Sequence, residues 1–191
     1  MKTKTIVIAS QKGGTGKTMI ADELAFACDR EGIPYNLYDL DDQGSPIHQE
    51  VRNENAVVNI VDTPGALSRE LQEYLSTADL VIIPMRLSPR DIQPLQTTIE
   101  QVKKYAPRKP VLFVFNGWNR YRAAAEFEDW FHYNYPKATT FRISQSEVFS
   151  QAALDASSVV EERKSSVPAK QVCELFDEVK RKLKIGEDYA R

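Results

Sequence analysis

The apolar run Ile6-Val7-Ile8-Ala9 leads directly into Lys12-Gly13-Gly14-Thr15-Gly16-Lys17-Thr18, and this succession constrains the fold more than any other stretch. A β-branched run of that kind reads as a buried strand, and the residues beyond Thr18 carry helical periodicity. Between them, glycines let backbone N–H groups converge on phosphate oxygens. Lys17 supplies a point charge to the outer phosphates, and Thr18 offers a hydroxyl to Mg²⁺ at a helix N-terminus, where the dipole favours anions. Strand, phosphate loop and helix in this order predict a nucleoside triphosphate site, with Gly13, Gly14, Thr15, Gly16, Lys17 and Thr18 as the contacts. The common pattern G-x-x-x-x-G-K-[ST] wants glycine where Gln11 stands, and a second lysine, Lys12, follows it.

Short β-branched runs alternate with longer amphipathic ones along the rest of the chain, the pattern of βα units wound into a mostly parallel, twisted sheet with helices on both faces. Strands are expected near Thr5–Ala9, Tyr35–Asp39, Val57–Asp62, Leu80–Pro84, Val111–Phe115 and Thr139–Ile143. Helices are expected from the phosphate loop to Arg30, with Gly32 as terminator, and over Ser68–Ser76, Asp91–Tyr105, Ala123–Tyr133, Ser144–Asp155 and Ala169–Leu183. Ser144 and Glu147 have capping-box spacing, and Pro168 suits a first helical turn. A chain of 191 residues, 42% of them hydrophobic, supports one substantial core, and a single domain over 1–191 is expected.

The apolar run after the basic start ends at Ser10-Gln11-Lys12, too short for a signal peptide or a membrane span, so a cytoplasmic protein is expected. Cys28 and Cys173 both fall in helical patterns and read as buried free thiols. His48 and His132 lack paired ligands at metal-binding spacing and are assigned to no site.

Charge is uneven along the chain. Between Met19 and Ile82, thirteen acidic residues face only Arg30, Arg52 and Arg69. Between Ile83 and Arg122, eight basic residues face only Asp91 and Glu100. Lys180-Arg181-Lys182 with Lys184 forms a second basic cluster. Arg90, Arg120, Arg122, Lys180, Arg181 and Lys182 are therefore candidate DNA contacts, with ordinary solvated helix faces as the plainer reading. Trp118, Tyr121, Trp130, Phe131, Tyr133 and Tyr135 interleave with two of these arginines, but their helical spacing favours core or interface roles over stacking on bases.

In such sheets ligands bind beyond the carboxyl ends of the strands, where this chain keeps its polar motifs. One expected strand ends in Asp39-Leu40-Asp41-Asp42-Gln43-Gly44, an acidic turn too polar for a core. Another ends in Asp62-Thr63-Pro64-Gly65, where an apolar run delivers one aspartate to the sheet edge. That is the form of a Walker B carboxylate, sharing the hydration shell of Mg²⁺ with Thr18. The sequence after Phe115 is Asn116-Gly117-Trp118-Asn119 and not Asn-Lys-x-Asp, which argues against GTP.

With Lys12, the double-aspartate turn and Asp62-Thr63-Pro64-Gly65 in place, the chain resembles the ParA/MinD family of deviant Walker ATPases. Ala78-Asp79-Leu-Val-Ile-Ile-Pro84 and Ser88-Pro89-Arg90-Asp91 add to the likeness, which extends over nearly the whole length. The 20 residues between Asp41 and Asp62 and the tail Gln145–Val160 look most like the short ParF-type partition proteins, which lack an N-terminal DNA-binding extension. The resemblance implies a P-loop NTPase fold and a Mg²⁺-dependent ATPase with ATP and Mg²⁺ as cofactors. It implies that Lys12 reaches across an ATP-dependent homodimer to the partner's nucleotide, that Asp41 positions the attacking water, and that Asp39 supports the switch and the metal shell. A solvated loop lysine and an unliganded polar turn are the plain alternatives for these residues. Asn116 would contact adenine, or merely end its strand in an Asn-Gly turn. Where relatives carry proline, this chain has Asp42.

What the resemblance implies of partners is nonspecific DNA, a small cargo- or centromere-binding protein and, for some relatives, higher assemblies. Two other functions fit the same fold. A MinD-like membrane-positioning ATPase needs an amphipathic C-terminal anchor, and Lys182-Leu-Lys-Ile-Gly-Glu-Asp-Tyr-Ala-Arg191 is poorly apolar and acidic near its end, so membrane binding is not expected. A metabolic ATP-dependent ligase would be accelerated by a small-molecule acceptor instead of by DNA with a partner protein.

Overall fold

A computed structural model describes residues 2–40, 47–48, 50–65 and 69–185. Six strands form one parallel sheet: β1 (Lys4–Ile8), β2 (Tyr35–Asp39), β3 (Val58–Asp62), β4 (Leu80–Met85), β5 (Val111–Trp118) and β6 (Thr139–Ser144), in the order β2-β3-β1-β4-β5-β6. Seven α-helices accompany them among the described residues: α1 (Lys17–Glu31), α2 (Arg69–Thr77), α3 (Ile92–Tyr105), α4 (Arg122–Asn134), α5 (Val148–Leu154), α6 (Val159–Glu162) and α7 (Val167–Leu183).

Because side chains alternate along a strand, each central strand feeds two cores. Ile6 and Ile8, Val58 and Ile60, and Leu112 and Val114 pack with α1, α5, α6 and α7. Val7, Val61, Val81, Phe113 and Phe115 pack on the other face against α2, α3 and α4. All of these strand residues are at most 8% exposed, which explains the near-continuous apolar runs in the sequence. The helices lie on both faces, as expected for a parallel sheet joined by crossovers.

The expected elements are all present, with shifted ends. Gly32 closes α1 in the left-handed conformation at φ 64, its N–H donating to Asp29 O and its neighbour's N–H to Cys28 O. Pro168 lies in the first turn of α7, behind a Ser166 hydroxyl that accepts the Ala169 N–H. The Ser144–Glu147 capping box does not form. Ser144 is the last residue of β6 and its N–H donates to Gln171 Oε1, so α5 starts only at Val148. The capping box belongs instead to Ser158 and Glu161, at the start of the separate helix α6. Asn116-Gly117 does not end its strand either. β5 runs on to Trp118 through an irregularity opposite β6, with Gly117 at φ 70.

Asp91 closes a 3-10 turn, Pro89–Asp91, and α3 begins after it. Ser68 lies outside the described residues, and α2 is described from Arg69. Cys28 is buried and Cys173 half-buried, both as free thiols. Burial pushes the Cys28 thiol up to about 12, which makes it an inert core residue. Of the aromatic residues expected in the core or an interface, Phe131 is fully buried, whereas Tyr121 and Tyr133 are 74% and 86% exposed.

Candidate nucleotide site

Parallel pairing puts the carboxyl ends of β1, β2 and β3 side by side, with Ile8 opposite Asp62 and Asp62 opposite Asp39. The chain leaves β1 into the glycine loop at this edge. Gly14 and Gly16 stand at φ 71 and 97, where a Cβ would be strained, and Gly16 is the N-cap of α1. No side chain caps that helix and its first turn holds no acidic residue, so its N–H groups point into the loop with the positive end of the helix dipole. Lys17 is 5% exposed and Thr15 2%, both drawn inside the loop. Thr15 Oγ1 donates to Lys12 O at 3.3 Å.

The next strand end closes the floor of the site. Thr18 Oγ1 donates to Asp62 Oδ2 at 2.6 Å, joining the first turn of α1 to the tip of β3. Thr63, fully buried, donates to Ile8 O at 2.7 Å and locks the Asp62 turn against β1. A hydroxyl and a carboxylate oxygen in direct contact at the phosphate-loop helix form the hard donor set that Mg²⁺ prefers, so these two residues fit the ion. Asp39 lies beside Asp62 in register, at the same edge of the sheet. Asp41 and Asp42 lie outside the described residues.

Asn116 sits on the far side of the loop. It is 8% exposed and its Nδ2 donates to Thr15 O at 2.7 Å. A Cβ at Gly16 would lie 2.0 Å from that nitrogen, so glycine is needed there both for φ and for space. Asn116 is thereby built into the loop wall.

A cavity of about 430 Å³ opens from the loop, lined by Gly13, Lys17, Thr18, Met19, Glu23 and, from α5 and the turn after it, Phe149, Ala152, Ala153 and Ser157. Sequence reading assigned none of the α5 residues to the site. They are apolar or small and carry no chemistry of their own, and only the packing of α5 beside α1 brings them there. Glu23 was missed for a similar reason. Its Oε1 accepts the Val159 N–H at 3.0 Å, while Oε2 is buried with no hydrogen-bond partner. Burial pushes this carboxyl up to about 7, with the Val159 N–H and Arg30 pulling the other way.

His48, assigned to no site, anchors the chain to α1. Its backbone N–H and that of Ile47 donate to Asp22, its ring lies 3.2 Å from Asp22 Oδ1, and Phe26 meets the ring edge-on at 4.1 Å. Burial lowers the affinity of this imidazole for a proton, but hydrogen bonds to Asp22 and Asp29 outweigh it and raise the pKa above the ordinary value. Among the described residues no group of three or more His, Cys, Asp or Glu side chains is arranged to hold a metal.

Lys12, unlike the buried Lys17, is partly exposed. Its ammonium is ion-paired to Asp91 Oδ1, with side-chain exposures of 39% and 3%. Ser88-Pro89-Arg90-Asp91 was noted in the sequence, but nothing there marked Asp91 as the partner of a lysine 79 residues away.

The candidate DNA contacts separate into two groups. Lys180 pairs with Glu31 at 2.7 Å and with Asp177 at 3.0 Å, while Arg181 and Lys182 share Glu178. Arg122 pairs with Glu126 at 2.6 Å. Arg90 and Arg120 are exposed and have no ion-pair partner among the described residues.

Comparison with known proteins agrees with this architecture. Protein ParA of Rhizobium radiobacter is 30% identical over a match that covers 42% of this chain and 48% of that protein, so the chain spans about half the length of the curated relative it matches. A Cyanothece McdA variant in complex with ATP superposes with a TM-score of 0.76 at 19% identity, covering 96% of this chain and 97% of that one. A plasmid partition protein from Borrelia burgdorferi bound to AMPPNP gives 0.69 at 17% identity, with 93% and 100% covered. The septum site-determining protein MinD of Pyrococcus horikoshii, complexed with Mg-ADP, gives 0.72 at 17% identity, with 97% and 99% covered. The CobQ/CobB/MinD/ParA nucleotide binding domain matches residues 6–159, and the chain belongs to that family.

Proposed function

We propose that this chain is a Mg²⁺-dependent partition ATPase whose ATP-bound form is a homodimer that holds nonspecific DNA and a cargo-bound partner protein, and whose hydrolysis releases them. The observation that carries this reading is the opposite disposition of two lysines in one loop. Lys17 is enclosed with the phosphate-binding backbone, whereas Lys12 lies at the rim with 39% of its side chain exposed. A lysine needed only for its own nucleotide has no reason to be held at the rim by a carboxylate of another element. A lysine that reaches a second nucleotide does, and it makes the γ-phosphate part of a protein interface.

Within one chain, the loop backbone and Lys17 bind the phosphates. Thr18 and Asp62 would hold Mg²⁺, with Asp39 supporting its shell, and the ion would supply charge neutralisation to the phosphates. Asp41 orients the attacking water, and Asn116 with the α5 wall seats the adenine. Exposed Arg90 and Arg120, with Tyr121 beside the latter, form the leading DNA surface. The protein works in the cytoplasm and joins the nucleoid when ATP is bound. No helix among the described residues is long and apolar enough to cross a membrane.

The test is size by light scattering and retention on DNA, each with ATP, ADP and no nucleotide. An ATP-specific dimer that alone retains DNA, and less of it as salt rises, supports the proposal. A chain that stays monomeric with ATP, or retains DNA equally in all three states, refutes it.

A further inference from the structure

We propose that Asp91 is a positioning residue that parks Lys12 against α3 and thereby sets how much ATP-bound chain is needed before two copies associate. This rests on the reading of Lys12 as the lysine that crosses to a second nucleotide. Asp91 stands where the 3-10 turn passes into α3, and its carboxylate is not used as a helix cap: Ser88 Oγ accepts the Arg90 N–H, and Asp91 makes no side-chain cap bond. Its observed partner is Lys12, and its other oxygen, Oδ2, is buried without a hydrogen-bond partner. The residue before Lys12 is held by the same helix, with the Gln11 N–H donating to Thr98 Oγ1 at 3.1 Å. The loop's entrance is therefore fastened to α3 twice, once through backbone and once through charge.

One ammonium cannot serve Asp91 and a second triphosphate equally. Bringing phosphates to Lys12 while it remains on Asp91 places like charges side by side, which is unfavourable. Withdrawing Lys12 leaves a carboxylate that is 3% exposed without its cation, also at a cost. Asp91 and the partner's nucleotide thus compete for Lys12, and the pair opposes assembly until the interface supplies enough energy to break it.

The experiment compares the parent with Asp91→Asn, and with Asp91→Ser as a second variant should the first fold poorly. Dimerisation is followed against protein concentration with Mg²⁺ and a non-hydrolysable ATP analogue, alongside melting temperature and ADP affinity. Asp91→Asn is expected to dimerise at about tenfold lower concentration, the order expected when a partly buried ion pair need no longer be broken. ADP affinity stays within about twofold, since an ion pair at the rim contributes little inside the loop. A parent that dimerises while the variants dimerise no more tightly overturns the parking role, as does a variant that loses ADP affinity, which would make Asp91 a support of the loop alone. A parent that stays monomeric with the analogue overturns the dimer reading itself.

Discussion

Lys12 and Lys17 belong to one loop but live in opposite surroundings. Lys17 is 5% exposed at the first position of α1, directly after Gly16. Lys12 lies at the rim, held by a carboxylate from the start of α3. The difference teaches that the inner end of the loop is enclosed within a single chain. The outer end is tied to a different part of the fold, through the pair in which Lys12 is proposed to exchange its partner.

The sharpest way to break this comparison is to remove each lysine in turn. Lys17→Ala is expected to weaken single-chain nucleotide binding by at least about a hundredfold, roughly 3 kcal/mol, because a buried, charge-assisted phosphate contact is lost. Isothermal titration with ADP checks it, and a loss below tenfold would mean that the inner end does not depend on this charge. Gly16→Ala attacks the same end through shape. With φ 97 and a Cβ 2.0 Å from Asn116 Nδ2, it is expected to cost about 2–3 kcal/mol in thermal unfolding and to displace Asn116 from Thr15 O.

Lys12→Ala should do the reverse of Lys17→Ala. ADP affinity is expected to remain within about threefold of the parent while the ATP-dependent dimer is lost, as followed by light scattering. If both lysines reduce both properties alike, the inner and outer ends are not separate.

The inner end also carries a pH signature. Glu23, pushed up to about 7 from 4.5 by burial, keeps its proton in the fold at a pH where the unfolded chain has lost it. Its contribution is therefore fully present below about pH 4.5, declines as pH rises to about 7, and levels off above, amounting to about 3 kcal/mol. His48, raised for a different reason, adds stability below its unfolded pKa and loses it as pH rises, so the two slopes have the same sign. Glu23→Gln retains the acceptor for the Val159 N–H and should flatten the pH 4.5–7 dependence of melting, leaving only the His48 part. An unchanged slope would show that Glu23 ionises normally.

The smallest expected effect concerns the two basic regions. Arg90→Ala with Arg120→Ala should weaken DNA retention several-fold more than Lys180→Ala with Arg181→Ala, because the latter pair already faces Glu31, Asp177 and Glu178. Equal losses in a salt titration would place the contact elsewhere.

Most of the fold was legible because the sheet is buried on both faces. Runs such as Leu80-Val-Ile-Ile-Pro84 have few other uses, and Gly32 and Pro168 mark helix ends by backbone chemistry alone. Errors fell where a long-range contact overrode a local signal. Ser144 and Glu147 had the spacing of a cap, but the Ser144 N–H was taken by Gln171 from α7, a contact no local pattern contains. Asn116-Gly117 looked like a turn, yet pairing with β6 carried the strand through it.

What the sequence determined by itself was the phosphate loop, the aspartate at the tip of β3 and the parallel sheet that carries them, since each follows from short-range geometry and strand periodicity. What only the tertiary structure decided was which groups separate in sequence meet. Asp91 on Lys12, Asn116 on Thr15, Glu23 on Val159 and α5 along the cavity all depend on the order β2-β3-β1-β4-β5-β6, which sets β1 between β3 and β4. Burial then fixes the outcome, because a carboxylate such as Asp91 or Glu23, once enclosed, must find a cation, a donor or a proton, and the fold determines which lies within reach.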